Sequence, residues 1–398
     1  MSQLHDYVAG VEGGLIEVWH HLHRNPELSM VEFKTADFIE GELKKIPGLH
    51  RVKRVGETGV WAELAGAAPR PGAPVVALRG DMDALPIQEA TSVPFKSVIP
   101  GVMHACGHDI HTSSLLGAVK VLAAHYRDRI PGKVWFFFQP GEEVLSGARV
   151  FLEDREIDFS QVSHIAGIHV SPQHRAGQVC IKNGPAMAGS DFFKITVTGQ
   201  GSHAAFPQGA RDPVTAQASL IGELQTLVSR ETDPTDSAVL SVCTIHGGTK
   251  NNIIPSEVVL EGTFRFLQRS TQKRIHRAVG RVCKGISLSK NVTVRCDMTV
   301  GTPPLINDDG CFKRAERALT KAFGKANVLF APAPMMGSED FAFFMEKVPG
   351  VFMMIGALPR GAEPMGLHTP TFAADPGALR SGVTALCAYA LESFGIEP

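Results

Sequence analysis

The chain has 398 residues, 44% of them hydrophobic and 20% charged, with a formal net charge of -1. That length calls for more than one core, and a near-neutral balance without a long basic run argues against a nucleic-acid or anionic-membrane partner. Residues 1–14 carry no signal-like apolar run and no stretch approaches the roughly 20 apolar residues of a membrane span, so a cytoplasmic protein is expected.

In chain order, residues 6–23 and 31–46 carry helical apolar spacing, broken at Asn25-Pro26. Residues 59–64 and 74–78 read as strands, the second leading into Arg79-Gly80-Asp81-Met82-Asp83. A loop to Gly101 precedes a helical segment, 112–126, with Asp109 or His111 near its N-cap. Residues 133–138 form a continuous apolar run, as in a strand buried on both faces, and end at Gln139-Pro140-Gly141-Glu142-Glu143. Another strand, 163–170, contains His169. Strands alternating with helices of this length predict an α/β fold with a mostly parallel sheet and flanking helices.

From about residue 188 the pattern changes. Strand 191–198, helix 213–229, strands 238–245 and 257–266, helix 271–288 and strand 291–299 follow in the order β-α-β-β-α-β. That order is the ferredoxin-like α+β unit. Helices 310–323, 338–348 and 377–394 then surround one apolar strand, 351–358. The expected organisation is a discontinuous α/β domain, 1–186 plus 298–398, with a ferredoxin-like domain inserted at 187–297.

Seven scattered cysteines read as reduced thiols, six of them in apolar or strand-like surroundings. Cys106 differs: it stands two residues before His108 in Met103-His104-Ala105-Cys106-Gly107-His108-Asp109. A thiolate and an imidazole at that spacing suit Zn²⁺, Ni²⁺, Co²⁺ or Mn²⁺, with Asp109 as a partner to a ligand or as a helix cap. A loop thiol beside solvated imidazoles would look the same, so the pair alone decides nothing. Glu142 and Glu143, fixed behind a buried strand by Pro-Gly, add a carboxylate to coordinate and a neighbour to accept a proton from water. His169, at a strand end, and His368, in Gly366-Leu367-His368-Thr369-Pro370, complete a set with Cys106, His108 and Glu143. Five such donors offer too little oxygen for Ca²⁺ or Mg²⁺ and suit two transition-metal ions. His20, His21 and His23 read as packing or surface residues.

The runs Leu22-His23-Arg24-Asn25-Pro26-Glu27-Leu28-Ser29, Arg79-Gly80-Asp81-Met82-Asp83-Ala84-Leu85-Pro86, Cys-Gly-His-Asp and Pro-Gly-Glu-Glu resemble the hippurate hydrolase branch of the metallo-aminoacylases. This branch includes N-acyl-L-amino-acid amidohydrolases and auxin-conjugate hydrolases. Gly201-Ser202-His203-Ala204-Ala205, Asn251-Asn252-Ile253-Ile254-Pro255 and Gly337-Ser338-Glu339-Asp340-Phe341 match as well, in family order from about residue 15 to 390.

The resemblance implies that Cys106 is shared by two divalent ions with His108, Glu143, His169 and His368. It implies that Glu142 is the general base and that His203 stabilises the oxyanion in a neighbouring subunit. Asn252 and Arg265 would meet polar groups of the substrate, and the inserted domain would serve dimerisation or act as a lid, giving a homodimer or higher homo-oligomer. More distant relatives carry a ligand histidine where this chain has Asp81. Here Asp83 would orient a ligand imidazole, while Asp81 is left without a role. The implied reaction is hydrolysis of an N-acyl (acetyl, benzoyl or similar) amino acid to a carboxylic acid and a free amino acid. A dipeptidase or aminopeptidase of the same family, and a non-catalytic metal-binding relative, are the alternatives. A serine hydrolase is disfavoured, since no Gly-x-Ser-x-Gly elbow occurs.

Overall fold

Pro26 ends the first helix: α1 (Gln3–Arg24) stops just before it, because a proline lacks the N–H and restricts the residue preceding it. Asn25 Nδ2 then donates to the carbonyl of His21 at 2.8 Å, satisfying a group the helix end leaves open. A computed structural model describes residues 3–67 and 69–398. After α2 (Phe33–Lys44) come β1 (Leu49–Val55), β2 (Gly59–Ala65) and β3 (Val75–Asp81). A long loop leads into α3 (His108–Val121), followed by β4 (Lys133–Gln139), α4 (Gly147–Leu152), β5 (Val162–Arg175), β6 (Val179–Ile181) and β7 (Gly184–Met187). Next are β8 (Gly189–Thr198), β9 (Ser202–His203), α5 (Pro213–Ser229), β10 (Ala238–Gly247) and β11 (Ile253–Ile254). β12 (Glu257–Phe266), α6 (Arg269–Lys290), β13 (Thr293–Val300) and β14 (Leu305–Asn307) follow. The chain closes with α7 (Asp309–Phe323), β15 (Val328–Phe330), α8 (Ala342–Met345), β16 (Gly350–Leu358) and α9 (Gly377–Ser393).

These elements form two units. One comprises Met1–Ala186, Ile306–Ala333 and Asp340–Pro398; the other comprises Met187–Leu305 and Pro334–Glu339. The second unit thus runs past the boundary expected at residue 297 and takes in a short later segment.

The first unit is built on an eight-stranded sheet in the order β1-β2-β4-β3-β5-β16-β6-β15. Pairing is parallel from β4 through β3 and β5 to β16, and again between β6 and β15. It is antiparallel at β1-β2, β2-β4 and β16-β6. β4 explains its own apolar run: Val134, Phe136 and Phe138 enter the main core, while Phe137 packs on the opposite face against Phe151 and Phe344. Each such fully buried side chain is worth about 1.5–3 kcal/mol of transfer free energy. α3 lies against α1 and α9, and almost all of it is buried.

The second unit has a four-stranded antiparallel sheet in the order β10-β12-β8-β13. With α5 and α6 this is the ferredoxin-like arrangement read from the sequence. Alternate residues of β8, Phe193, Ile195 and Val197, meet Leu220, Leu224 and Leu227 of α5 and Ile275, Val279 and Ile286 of α6, the two periodicities that strands and helices require. Asp212 caps α5 by accepting from Val214 N at 2.8 Å, with Pro213 in the first turn.

Two expectations are corrected. The helix expected over 338–348 shrinks to α8, because the Asp340 carboxylate accepts from Gln139 Nε2 (2.6 Å), Arg79 Nη2 (3.1 Å) and Ala148 N (3.0 Å), so the residues before α8 leave the helical path. The helix expected over 112–126 begins at His108 and its N-cap is Gly107, not Asp109 or His111. Among the described residues, no helix is long and apolar enough to cross a membrane.

Candidate metal centre

Within the first unit, β3 ends at Asp81, β4 runs into Glu142 and Glu143, β5 carries His169, and the loop after β16 carries His368. Parallel strands deliver these residues to one edge of the sheet, beyond the carboxyl ends, where open α/β sheets bind ligands. α3 starts at the same edge, so Cys106 and His108 join them. The turn between these two requires glycine: Gly107 has φ of 80°, and a Cβ there would lie 2.5 Å from Val170 Cγ2. His368 is held in the left-handed region at φ of 58°, tied by its N–H to the carbonyl of Ala105 at 2.9 Å.

The donor atoms converge. Cys106 Sγ lies 3.4 Å from His169 Nε2 and 3.3 Å from His368 Nε2. Glu143 Oε1 lies 3.3 Å from His368 Nε2 and 3.8 Å from His108 Nε2. Two triads result, Cys106–His108–His169 and Cys106–Glu143–His368, the donor atoms of each within 4.8 Å of one another. Cys106 belongs to both. Among the described residues, His108 Nε2 and Glu143 Oε1 are buried and make no hydrogen bond, although each is in ion-pair range of another group of the cluster. Buried polar atoms ordinarily find hydrogen-bond partners. Two that sit close to other donors without hydrogen-bond geometry suit a shared cation, and thiolate, imidazole and carboxylate suit a divalent transition metal. The residues present therefore fit two such ions. The Glu142 carboxylate is within 4.8 Å of donor atoms of His108 and Glu143.

The surroundings fix each ring. His108 Nδ1 is 3.1 Å from Asp83 Oδ1, leaving Nε2 toward the cluster. Asp83 Oδ2 accepts from Ser29 Oγ at 2.7 Å and from the amide of Glu143 at 3.0 Å. Burial works against the Asp83 carboxylate, yet the His108 hydrogen bond and charge hold its pKa below the usual range. His169 Nδ1 donates to the carbonyl of Val170 at 2.7 Å. Without a metal, burial pushes the Cys106 thiol up to about 12 despite the neighbouring His108. A divalent ion held there would reverse that preference, since a coordinating thiol is deprotonated outright.

The profile of Peptidase family M20/M25/M40 matches residues 77–392. The chain belongs to this family. It is 39% identical over 369 residues to the N-acetyl-L-cysteine deacetylase of Bacillus subtilis, covering 93% of this chain and 85% of that protein. It is 36% identical over 340 residues to the hippurate hydrolase of Campylobacter jejuni, covering 85% and 87%. The structure of the Bacillus subtilis YXEP protein, a dinuclear metal-binding peptidase of family M20, superposes with a TM-score of 0.83 at 32% identity, covering 98% of this chain and 100% of that one.

Of the residues singled out in the sequence of this M20 chain, Asp83, Cys106, His108, Glu142, Glu143, His169 and His368 come together in the first unit. His203, Asn252 and Arg265 lie in the second. His203 pairs with Ile253 in the small β9–β11 ladder, and Ala204 N donates to the carbonyl of Asn252 at 3.0 Å. The amide of Ala205 donates to His203 Nδ1 at 3.1 Å, so the imidazole proton sits on Nε2 of an exposed ring. Arg265 is half-buried on β12 and donates to Ser338 Oγ at 2.6 Å.

Sequence reasoning overlooked two groups. His23 is a buried partner rather than a packing or surface residue: its Nδ1 is 2.7 Å from Asp109 Oδ2, which also accepts from Trp19 Nε1 at 2.8 Å. Burial opposes its charge, but Asp109 and Glu89 hold its pKa up at about 9. Asp109 is thus spent on α1 instead of capping α3. The other group is His111 with Arg79, Asp81 and Asp340, all fully buried. Two charged residues inside the apolar pattern of β3 were the available signal, because buried charges need partners.

Proposed function

We propose that this chain is a binuclear metal-dependent amidohydrolase that cleaves N-acyl amino acids to a carboxylic acid and a free amino acid. Cys106 would be common to both ions, with His108 and His169 holding one and Glu143 and His368 the other. The ions are Mn²⁺, Zn²⁺, Co²⁺ or Ni²⁺. When bound, such a pair supplies a lowered pKa for water and polarisation of the scissile carbonyl.

Glu142 accepts the proton of the attacking water and returns it to the leaving amine, so one water is consumed and the amide C–N bond breaks. Asp83 keeps His108 Nε2 turned to the cluster. His203 offers its Nε2–H to the tetrahedral oxyanion in a neighbouring subunit, a role its tautomer suits. Asn252 and Arg265 take polar groups and the carboxylate of the amino-acid half. The inserted domain serves dimerisation or closure, in a cytoplasmic homodimer or higher homo-oligomer.

The observation that carries this reading is the position of Cys106 in two donor triads beside Glu142. Similarity to an N-acetyl-L-cysteine deacetylase and a hippurate hydrolase supports the substrate class. The test is a metal-loaded assay of N-acetyl and N-benzoyl amino acids against free dipeptides. Release of amino acid from the acylated set supports the reading; turnover of the dipeptides alone overturns it in favour of a dipeptidase.

A further inference from the structure

We propose that His111, anchored by Asp81, is a positioning residue that holds the imidazole of His169 in place for its ion. The inference rests on the ligand reading above and gives Asp81 its role. Pairing of β3 with β5 ends at Arg79 and Gly167, so beyond that point β5 has no strand on its β3 side among the described residues. The amide of Val170, next to His169, would be left without a partner, which a buried N–H rarely tolerates. His111 Nε2 takes its place, accepting from Val170 N at 2.8 Å.

That contact fixes the tautomer. A nitrogen that accepts a backbone N–H carries no proton, so the proton of His111 is on Nδ1, where it is donated to Asp81 Oδ1 at 2.6 Å. Asp81 is fixed in turn. Its Oδ2 accepts from Arg79 Nη1 at 2.7 Å, and its own carbonyl accepts from Thr112 Oγ1 at 2.6 Å. Arg79 is gripped by Gln139 Oε1 at 2.9 Å and Asp340 Oδ1 at 3.1 Å. The chain of contacts from Asp340 to Val170 is buried throughout. At its end Val170 holds His169 twice over, through its carbonyl on Nδ1 and through its place in the strand. The His111 ring also lies against the His169 ring, with centroids 4.7 Å apart. His111 therefore sets both the height of the strand under His169 and the tilt of its ring, leaving Nε2 to face Cys106.

Two conservative variants separate positioning from simple filling. An asparagine amide reaches about as far as Nδ1, so His111→Asn keeps the Asp81 contact and abandons Val170. Glutamine reaches about as far as Nε2, so His111→Gln keeps Val170 and abandons Asp81. The metal-free full-length chain and both variants are titrated with Co²⁺, following the thiolate-to-cobalt absorption of Cys106 and the affinity of each ion, alongside the thermal midpoint of the metal-free forms. H111N is expected to weaken one ion by about 10–100-fold while sparing the other, with the smaller loss in H111Q. Unchanged affinity for both ions in H111N, even with a lowered midpoint, overturns the proposal, as does a larger loss in H111Q. A wild-type chain that fails to bind two ions would instead overturn the ligand reading. Nitrogen NMR of histidine-labelled wild type needs no variant: a proton on His111 Nδ1 is expected, and a proton on Nε2 overturns the proposal.

Discussion

His108 Nδ1 stands 3.1 Å from Asp83 Oδ1, so one ring nitrogen is committed to a carboxylate and the other faces the donor cluster. Such carboxylate–imidazole pairs set ring orientation and basicity, and losing them typically costs about 10–100-fold in metal affinity. Asp83→Asn is expected to weaken the ion held by His108 by about that factor, read by competition with a chromophoric chelator. Affinity equal to wild type would remove Asp83 from the design.

The proposed mechanism gives the neighbours Glu142 and Glu143 different duties. Glu142→Gln should bind both ions as wild type does and lose about 10²–10⁴ in kcat, since the amide cannot accept a proton. Metal analysis and steady-state kinetics on one preparation check both halves. A variant within about tenfold of wild-type turnover would contradict the assignment.

His203 belongs to the second unit, and the oxyanion role proposed for it is separable from metal binding. His203→Ala is expected to lower kcat by about 10²–10³ with metal content unchanged, the usual cost of one lost oxyanion donor. A variant that loses metal, or one that raises only KM, would point to another role.

The pH dependence of stability has a contributor outside the donor cluster. His164, on β5, is nearly buried, with Nε2 2.9 Å from Ser393 Oγ. Burial, with Arg314 nearby, pushes its pKa down to about 4 from the ordinary 6.5. The folded state thus favours the neutral ring. Its contribution is fully present above pH 6.5 and is lost as pH falls toward 4, because only the unfolded chain readily takes up the proton. Urea midpoints at pH 7 and pH 5 should fall for wild type and fall less for His164→Leu. Equal falls in both would contradict the assignment.

Much of the fold was legible because its periodicities are local. The strand 133–138 and the β-α-β-β-α-β order follow from runs of apolar residues whose spacing matches one secondary structure. The donor cluster was legible where chemistry-bearing residues follow a strand, as with Glu142 and Glu143, or stand two apart at the start of a helix, as with Cys106 and His108. His111 was hidden inside an apolar helix, and its partners are Asp81, 30 residues earlier, and the amide of Val170. Asp340 reaches Arg79 across 261 positions, and no spacing rule connects them. The same long-range contacts explain why the helix expected over 338–348 shortened. β1, a partly exposed basic strand at the sheet edge, has too weak an apolar alternation to be seen.

The most direct test is metal removal and return. The chain is stripped with a chelator, then given Mn²⁺, Zn²⁺, Co²⁺ or Ni²⁺ in steps while hippurate hydrolysis and bound metal are followed together. A binuclear amidohydrolase loses activity on stripping and regains it as occupancy approaches two ions per chain. Hydrolysis that survives complete removal of metal, or a doubly loaded chain that releases no amino acid from any N-acyl substrate, would contradict it.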